Sequence, residues 1–366
     1  MIKVFMHGYK GSPKRVEILY NHLLEKENFL PLPTFKFDME EGTYRKESYY
    51  KIILRFFNSD VIYLGPMSHR ILMIIICKIF HKKVICDIYA GLYDSTVNDR
   101  KIYTKNHLKA RIHWLRDRLA MKYSDTCLFL NKSEKKHFIE SVGLQENEVN
   151  AKCVPLAIED KIKSNLNYYQ NSKTHMDICW TGTFIPLQGL DKIINAMKIL
   201  DEKKMEFKLH IYGPDNANAN IYKELVKELK LEKRIEFVDL WGDMMKWKAE
   251  IFEKCDLNLG IFGDSDKAKV VVANKVIDGI TFGTPVLTGY SYGIDEYFDG
   301  VNDIYTVDNK PYEIANKIIE ISQFNYEKIR LNCIKAYQIY SNNFTPSIFK
   351  DSLESIIEEV YKNGNK

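Results

Sequence analysis

Apolar runs of strand length alternate with stretches of helical spacing, twice over, along this chain. In the first half the runs fall at Ile2–Met6, Pro33–Phe37, Val61–Leu64, Lys83–Ile88, Thr126–Leu130 and Lys152–Leu156, and helical stretches intervene at Lys14–Glu25, Lys46–Phe57, His69–Phe80, Thr104–Tyr123 and Ser133–Val142. Parallel strands need a crossover between them, so this alternation predicts a parallel sheet with helices on both faces. The polar stretch DKIKSNLNYYQNSKTH interrupts it, and residues 161–175 read as a linker. The pattern then restarts, with strands near Asp177–Thr181, Lys208–Tyr212, Ile235–Val238, Leu257–Phe262 and Pro285–Thr288, a short one near Asp303–Val307, and helices from Pro311 onward. The predicted architecture is α/β, two Rossmann-like doubly wound domains facing across a cleft: residues 1–160, residues 176–345, and a C-terminal helix, 346–366, returning toward the first domain.

Composition narrows the classes. With 366 residues, 45% of them hydrophobic, the chain suffices for two cores. A formal net charge of +4 is too mild to announce a nucleic-acid binder, and none is expected as a partner. The seven cysteines stand singly in apolar runs with no CxxC pair, which predicts buried, reduced thiols rather than disulfides or a zinc site. The opening MIKVFMHGYKG turns polar after six residues, and the longest apolar run, Ile71–Phe80, is half the ~20 residues of a membrane span. A cytoplasmic protein is expected.

Ligands of open parallel sheets sit where strands end and helices begin, because free backbone N–H groups and helix N-termini point there. Three such places in the second half carry suitable residues. Gly182 and Thr183, leading to Gln188 and Gly189, follow a predicted strand; Tyr212 and Gly213 end another in a Gly-Pro turn; and Lys267, Lys269, Asn274 and Lys275 surround the start of a helix with Asp278 one turn in. The last group would place cations beside a diphosphate and a carboxylate beside ribose hydroxyls. Each turn taken alone also fits an ordinary strand–turn–helix, and each lysine a solvated helix face.

The segments WTGTFIPLQGLDKIINAMK, from Trp180, and NKVIDGITFGTPVLTG, from Asn274, resemble the donor-binding half of the retaining GT-B glycosyltransferases of the glycosyl transferases group 1 family. The resemblance implies a hexosyl transferase taking a nucleotide-sugar donor, with Gly182, Thr183, Gln188, Tyr212, Gly213, Lys267, Lys269, Asn274 and Val276 along the donor and Lys275 and Asp278 in catalysis. It implies no metal and no other cofactor. Of the family's paired glutamates, the second falls on Asp278 and the first on Val270, so only the ribose role passes on. The arginine and lysine that many relatives direct at the diphosphate fall on Thr183 and Gln188. Lys267, Lys269 and Lys275 are the candidate replacements, with Lys10 in reserve.

In the first half, Gly8-Tyr9-Lys10-Gly11 follows the first strand and would cradle a phosphate, without the GxGxxG spacing of a dinucleotide fingerprint. Asp38, ending the second strand, imitates the ribose acid of such a site, which keeps an oxidoreductase open. The stretch DIYAGLYDSTVNDRK resembles a motif in a branch of the family. It implies Asp87 in catalysis and Asp94, Asp99 and Arg100 on the acceptor side, with Asp87 and Asp94 nearest to orienting an acceptor hydroxyl. Asp94 capping a turn and Asp99–Arg100 bracing the loop stay open. Asp264-Ser265-Asp266 imitates a metal-binding DxD by chance composition, and no essential metal is expected.

Between 104 and 123, Leu108, Ile112, Leu115 and Leu119 form an apolar stripe bordered by Lys105, Lys109 and Arg116 on one side and Arg111, Arg118 and Lys122 on the other. That suits a helix lying on an anionic membrane surface at the inner face of the cell membrane, or an ordinary core-facing helix with solvated borders. The favoured function is a retaining transferase acting on a lipid-linked or saccharide acceptor in cell-surface polysaccharide biosynthesis. A nucleotide-sugar epimerase of the same fold and a non-catalytic GT-B-like partner subunit are the alternatives.

Overall fold

Strand β1 (Ile2–His7) sends Val4 and Met6 to one face and Phe5 to the other, and β5 (Val61–Leu64) does the same with Val61 and Tyr63 against Ile62 and Leu64. Both faces are therefore covered, which is what a parallel sheet requires. The computed structural model describes residues 1–8, 14–38, 43–159, 175–239, 251–252 and 255–364. It divides into two units, Met1–Ala157 with Pro346–Lys366, and Ile158–Thr345.

The first unit runs β1, α1 (Lys14–Leu24), β2 (Phe29–Pro33), β3 (Phe35–Asp38), β4 (Thr43–Lys46), α2 (Tyr49–Phe57), β5, α3 (Ile71–Ile79), β6 (Lys83–Asp87), a π-helical turn at Asp94–Asp99, α4 (Leu108–Tyr123), β7 (Thr126–Phe129), α5 (Lys132–Ser141) and β8 (Ala151–Cys153). Its sheet has the order β2-β1-β5-β6-β7-β8, parallel throughout. One face packs on α2 to α5 through Phe56, Ile74, Met121 and Phe138. The other face takes α1.

One predicted strand is corrected. Pro33–Phe37 is not a single strand: the sheet takes Phe29–Pro33, and Phe35–Asp38 turns away into an antiparallel hairpin with Thr43–Lys46. β2 lies at the sheet edge, where Pro31 and Pro33 are tolerated although they donate nothing to a ladder. Asp38 therefore ends a hairpin strand, not a strand of the parallel sheet, and the likeness to a dinucleotide site fails.

The second unit runs β9 (Met176–Thr181), α6 (Leu190–Glu202), β10 (Phe207–Gly213), α7 (Ala217–Glu228), β11 (Ile235–Asp239), β12 (Leu257–Leu259), α8 (Asn274–Thr281), β13 (Val286–Gly289), α9 (Tyr292–Asp295), β14 (Tyr305–Val307), α10 (Pro311–Ser322) and α11 (Tyr326–Asn343). Its parallel sheet has the order β11-β10-β9-β12-β13-β14. The order reverses between β9 and β12, and such a reversal opens a crevice at the carboxyl ends of the strands. The core joins Trp180, Leu190, Ile194, Met197, Leu209 and Ile314. After α11 the chain returns to the first unit, where α12 (Pro346–Lys362) packs Phe349, Leu353, Ile357 and Val360 on the α1 face.

Six of the seven cysteines are buried; Cys153, at the end of edge strand β8, is exposed, against expectation. Among the described residues no helix is long and apolar enough to cross a membrane.

His7, ending β1, has Nδ1 3.2 Å from Thr34 Oγ1. Burial, with Arg70 and Lys46 nearby, lowers its pKa from 6.5 to about 4. The unfolded chain then binds a proton that the folded chain refuses. The contribution to stability is whole above pH ~6.5 and is lost as pH falls through about 4, an expected loss of about 3 kcal/mol. Urea unfolding of wild type and His7→Asn between these limits checks it, because the variant should lack that slope.

Candidate functional site

Three strand ends of the second unit come together. Leaving β9, Gly182 donates its N–H to Tyr212 O at 2.9 Å, which joins the first turn to the end of β10. The Gln188 side chain folds back into the same turn, and its Oε1 accepts from Thr183 N at 3.2 Å and Ile185 N at 3.3 Å. Gln188 O accepts from Phe262 N at 3.1 Å and ties in the segment after β12. Gln188, expected along the donor, is instead a buried brace that uses its carbonyl to hold the turn.

Gly189 turns the chain into α6 with φ of 61°, and a Cβ there would lie 2.4 Å from Phe262 C. The neighbour is backbone and has no rotamer to change. Gly189→Ala should cost at least about 2 kcal/mol, the left-handed strain plus the clash, read as a lower midpoint in thermal unfolding.

Helix α8 begins after Ala273, which has no side chain to cap it, and β12 fixes its first turn through Asn258 Nδ2 donating to Lys275 O at 2.8 Å. Lys275 is 7% exposed, and its Nζ lies 3.8 Å from the centre of the Trp180 ring. It has no hydrogen-bond partner among the described residues. Burial pushes its pKa well below 10.5, and the Asp278 charge opposes that shift. The same Trp180 ring lies beneath Gly182, where a Cβ would come within 2.4 Å of it. The indole thus touches both the ammonium and the glycine turn, and only glycine fits against it at position 182.

The other expected donor residues sort by burial. Asp278 is buried in α8, Asn274 and Lys269 are exposed, and Lys267 is half-buried. Lys269 pairs with Asp266 at 3.0 Å. Val276 is corrected: its side chain has no exposed surface, and its N–H goes to Ala273 O at 3.0 Å. Tyr212 packs on Cys179, Ile251 and Phe252, and Gly213 ends β10. Asp264 accepts from Asn309 Nδ2 at 2.8 Å and pairs with Lys192. Among the described residues no group of three or more His, Cys, Asp or Glu is placed to hold a metal.

In the first unit Asp87 has no exposed surface. Its Oδ2 accepts from Arg15 Nε at 3.0 Å and from Tyr63 OH at 2.9 Å, while Arg15 also donates to Pro155 O at 2.7 Å. The expected contact with an acceptor hydroxyl gives way to a buried brace. Asp94 opens the π-helical turn, buried, with Oδ1 2.9 Å from His137 Nε2 and accepting from Asn98 Nδ2 at 3.2 Å. Asp99 is buried at the other end, and Arg100 is exposed. Gly8 is half-buried after β1; Lys10 and Gly11 lie outside the described residues.

Residues 175–323, about four-fifths of the second unit, match the sequence model of the glycosyl transferases group 1. Over these residues the second unit resembles a group 1 glycosyltransferase domain. The chain as a whole has the GT-B fold. It is similar to HepE from Anabaena, solved with UDP and glucose, at 13% identity and a TM-score of 0.72, over 98% of this chain and 100% of that one. A glycosyltransferase from Rickettsia africae matches at 14% and 0.71 over 99% of both chains. Sucrose-phosphate synthase from Thermosynechococcus elongatus matches at 10% and 0.73 over 99% of this chain and 100% of that one. No curated protein matches the sequence.

Several partners in both units leave no mark in the sequence. Trp180 reads there as an ordinary strand residue, yet its ring faces Lys275. Arg15, Tyr63 and His137 hold the acidic residues of the first unit, and His69 holds Asp117 at 2.9 Å with both buried. Charged partners at such separations leave no periodic signal. A buried acid nonetheless demands a cation or donor, so the apolar neighbours of Asp87 in VICDIY already called for one.

Proposed function

We propose that the protein is a retaining hexosyltransferase that moves a sugar from a nucleotide-sugar donor to a lipid-linked or saccharide acceptor in cell-surface glycan synthesis. The observation that carries this reading is the buried Lys275 ammonium, without a hydrogen-bond partner among the described residues, set on the same Trp180 ring that the Gly182 turn touches, in a unit that resembles a group 1 glycosyltransferase domain. HepE, which is similar in fold, is solved with UDP, and this supports a nucleotide ligand.

On this reading the diphosphate sits at the first turn of α8, where backbone N–H groups, the helix dipole and Lys275 oppose its charge. Asp278 accepts from the ribose hydroxyls. The bond between the anomeric carbon and the phosphate oxygen breaks, the acceptor oxygen bonds to that carbon from the same face, and the acceptor proton passes to the departing phosphate oxygen. The fixed positive field stabilises the leaving group, so no metal is required for charge balance.

Acceptor-dependent release of nucleoside diphosphate tests the reaction, and the anomeric coupling constant of the product tests its stereochemistry. Release only with acceptor present, with configuration retained, is expected. An inverted product would remove the retaining mechanism. Failure of UDP-, GDP- and ADP-sugars to raise the melting temperature would leave a non-catalytic subunit.

A further inference from the structure

Helices α2, α3 and α4 of the first unit keep one apolar stripe each in solvent. On α2, Tyr50, Ile53 and Phe57 are exposed; on α3, Leu72, Ile75 and Ile79 repeat the same i, i+3, i+7 spacing. On α4 the residues are Leu108, Ile112 and Leu115, with Leu108 70% exposed. The predicted stripe of α4 therefore faces outward, since Ala110, Ala120 and Met121 face the core and only Leu119 leans toward it.

The three stripes form one surface. Phe57 and Phe80 meet edge to face at 4.9 Å, joining the ends of α2 and α3. Lys82 Nζ fastens that corner by donating to Phe57 O at 2.9 Å and Ser59 O at 2.7 Å. Lys78 Nζ stands 5.8 Å from the Tyr123 ring centre, joining α3 to α4.

Cations dominate this face, although Lys51 pairs with Glu47 at 3.9 Å and Lys122 with Glu148 at 3.8 Å. The three helices hold eight Lys or Arg and a single carboxylate, Asp117, which is buried on His69. Lys51, Lys78, Lys109, Arg111 and Lys122 are exposed beside the stripes. Monomers rarely leave so much contiguous apolar surface in water. A second copy meeting it through the same face would set Lys78, Lys109 and Arg111 against cations, while Glu47 and Glu148 already stand beside Lys51 and Lys122.

We propose that this face seats the protein on an anionic lipid bilayer. Hydrocarbon takes the stripes, and lipid phosphates take the ammonium and guanidinium groups that reach past them. The inference extends the expectation for residues 104–123 to a three-helix surface. It stands apart from the donor chemistry of the second unit, although on the transferase reading it would bring the first unit to lipid-linked acceptors.

Vesicle sedimentation of the full chain tests it without donor or acceptor. At low salt the protein should pellet with phosphatidylglycerol-containing vesicles about tenfold more strongly than with phosphatidylcholine alone, and salt should weaken the binding. Leu72→Ser/Ile79→Ser/Leu108→Ser, all at exposed positions, should lower that binding about tenfold with an unchanged melting temperature. A chain that stays in the supernatant with anionic vesicles, or whose pelleting ignores the triple substitution, overturns the proposal. So does a wild-type dimer in light scattering that the same substitution makes monomeric while vesicles remain unbound. Loss of transferase activity with vesicle binding intact would instead count against the donor reading alone.

Discussion

Lys275→Met should weaken nucleotide-sugar binding about a hundredfold while leaving the second unit as stable as wild type or slightly more so. The two effects have opposite sign because the ammonium is a cost to the empty fold and an asset to the complex. In the free protein it is buried on the Trp180 face without a hydrogen-bond partner among the described residues, and replacing such a charge by an apolar side chain of similar shape is neutral or stabilising. Facing a diphosphate at ~4 Å in a medium of effective dielectric ~20, the same charge is worth up to about 4 kcal/mol, and about 2.7 kcal/mol corresponds to the hundredfold. Calorimetric titration and thermal unfolding of one variant read both signs.

The titration of this amine adds a second check. Its folded pKa is lowered, so stability from this group is present above the unfolded value of ~10.4 and declines as pH falls through the folded value. A bound diphosphate restores the charge, so binding takes up a proton wherever the free amine is neutral. Calorimetry in buffers of different ionisation enthalpy should show that uptake in wild type and none in Lys275→Met.

Asp87→Ala should destabilise the first unit by about 3–5 kcal/mol, a large share of the ~5–15 kcal/mol that holds a domain together. The reason is what remains. Arg15 would keep its charge at 3% exposure with carbonyl oxygens and the Phe349 ring, 4.5 Å from its guanidinium carbon, as company. Tyr63→Phe removes one hydrogen bond and should cost about 1 kcal/mol. In Asp87→Ala/Arg15→Met most of the loss should return, giving a coupling of at least about 2 kcal/mol. Urea unfolding followed by hydrogen exchange on peptides of the first unit measures wild type, the single variants Asp87→Ala, Arg15→Met and Tyr63→Phe, and the double variant. A loss below about 1 kcal/mol for Asp87→Ala would show that the pair does not brace the strand ends.

Strand and helix periodicity made most of the fold legible, because each parallel strand is a short apolar run and each crossover carries an amphipathic stripe. Boundaries failed where local chemistry intervened. The prolines of FLPLP shifted β2 by several residues, and the hairpin ending at Lys46 delayed α2 to Tyr49. Spacing gave the stripe of α4 but not its direction. Small residues, Ala110 and Ala120, face the core, while the larger Leu108 and Ile112 face out. The positions of Lys275 and Asp278 at the start of α8 followed from the helix pattern. The burial of Lys275 did not, since lysines are mostly surface residues and its aromatic platform lies 95 positions upstream on another strand. Likewise the brace of Asp87 comes from α1, and Gln188 turned inward because its carbonyl satisfies two backbone N–H groups of a tight turn.

The central claim is that the second unit holds a nucleotide-sugar donor between the Gly182 turn and the start of α8. Hydrogen exchange of the full chain, with and without each of a panel of UDP-, GDP- and ADP-sugars, tests it most directly. The account predicts that at least one of them slows exchange at residues 181–189 and 273–281. Unchanged exchange at both segments with every nucleotide sugar, or protection confined to the first unit, would contradict it.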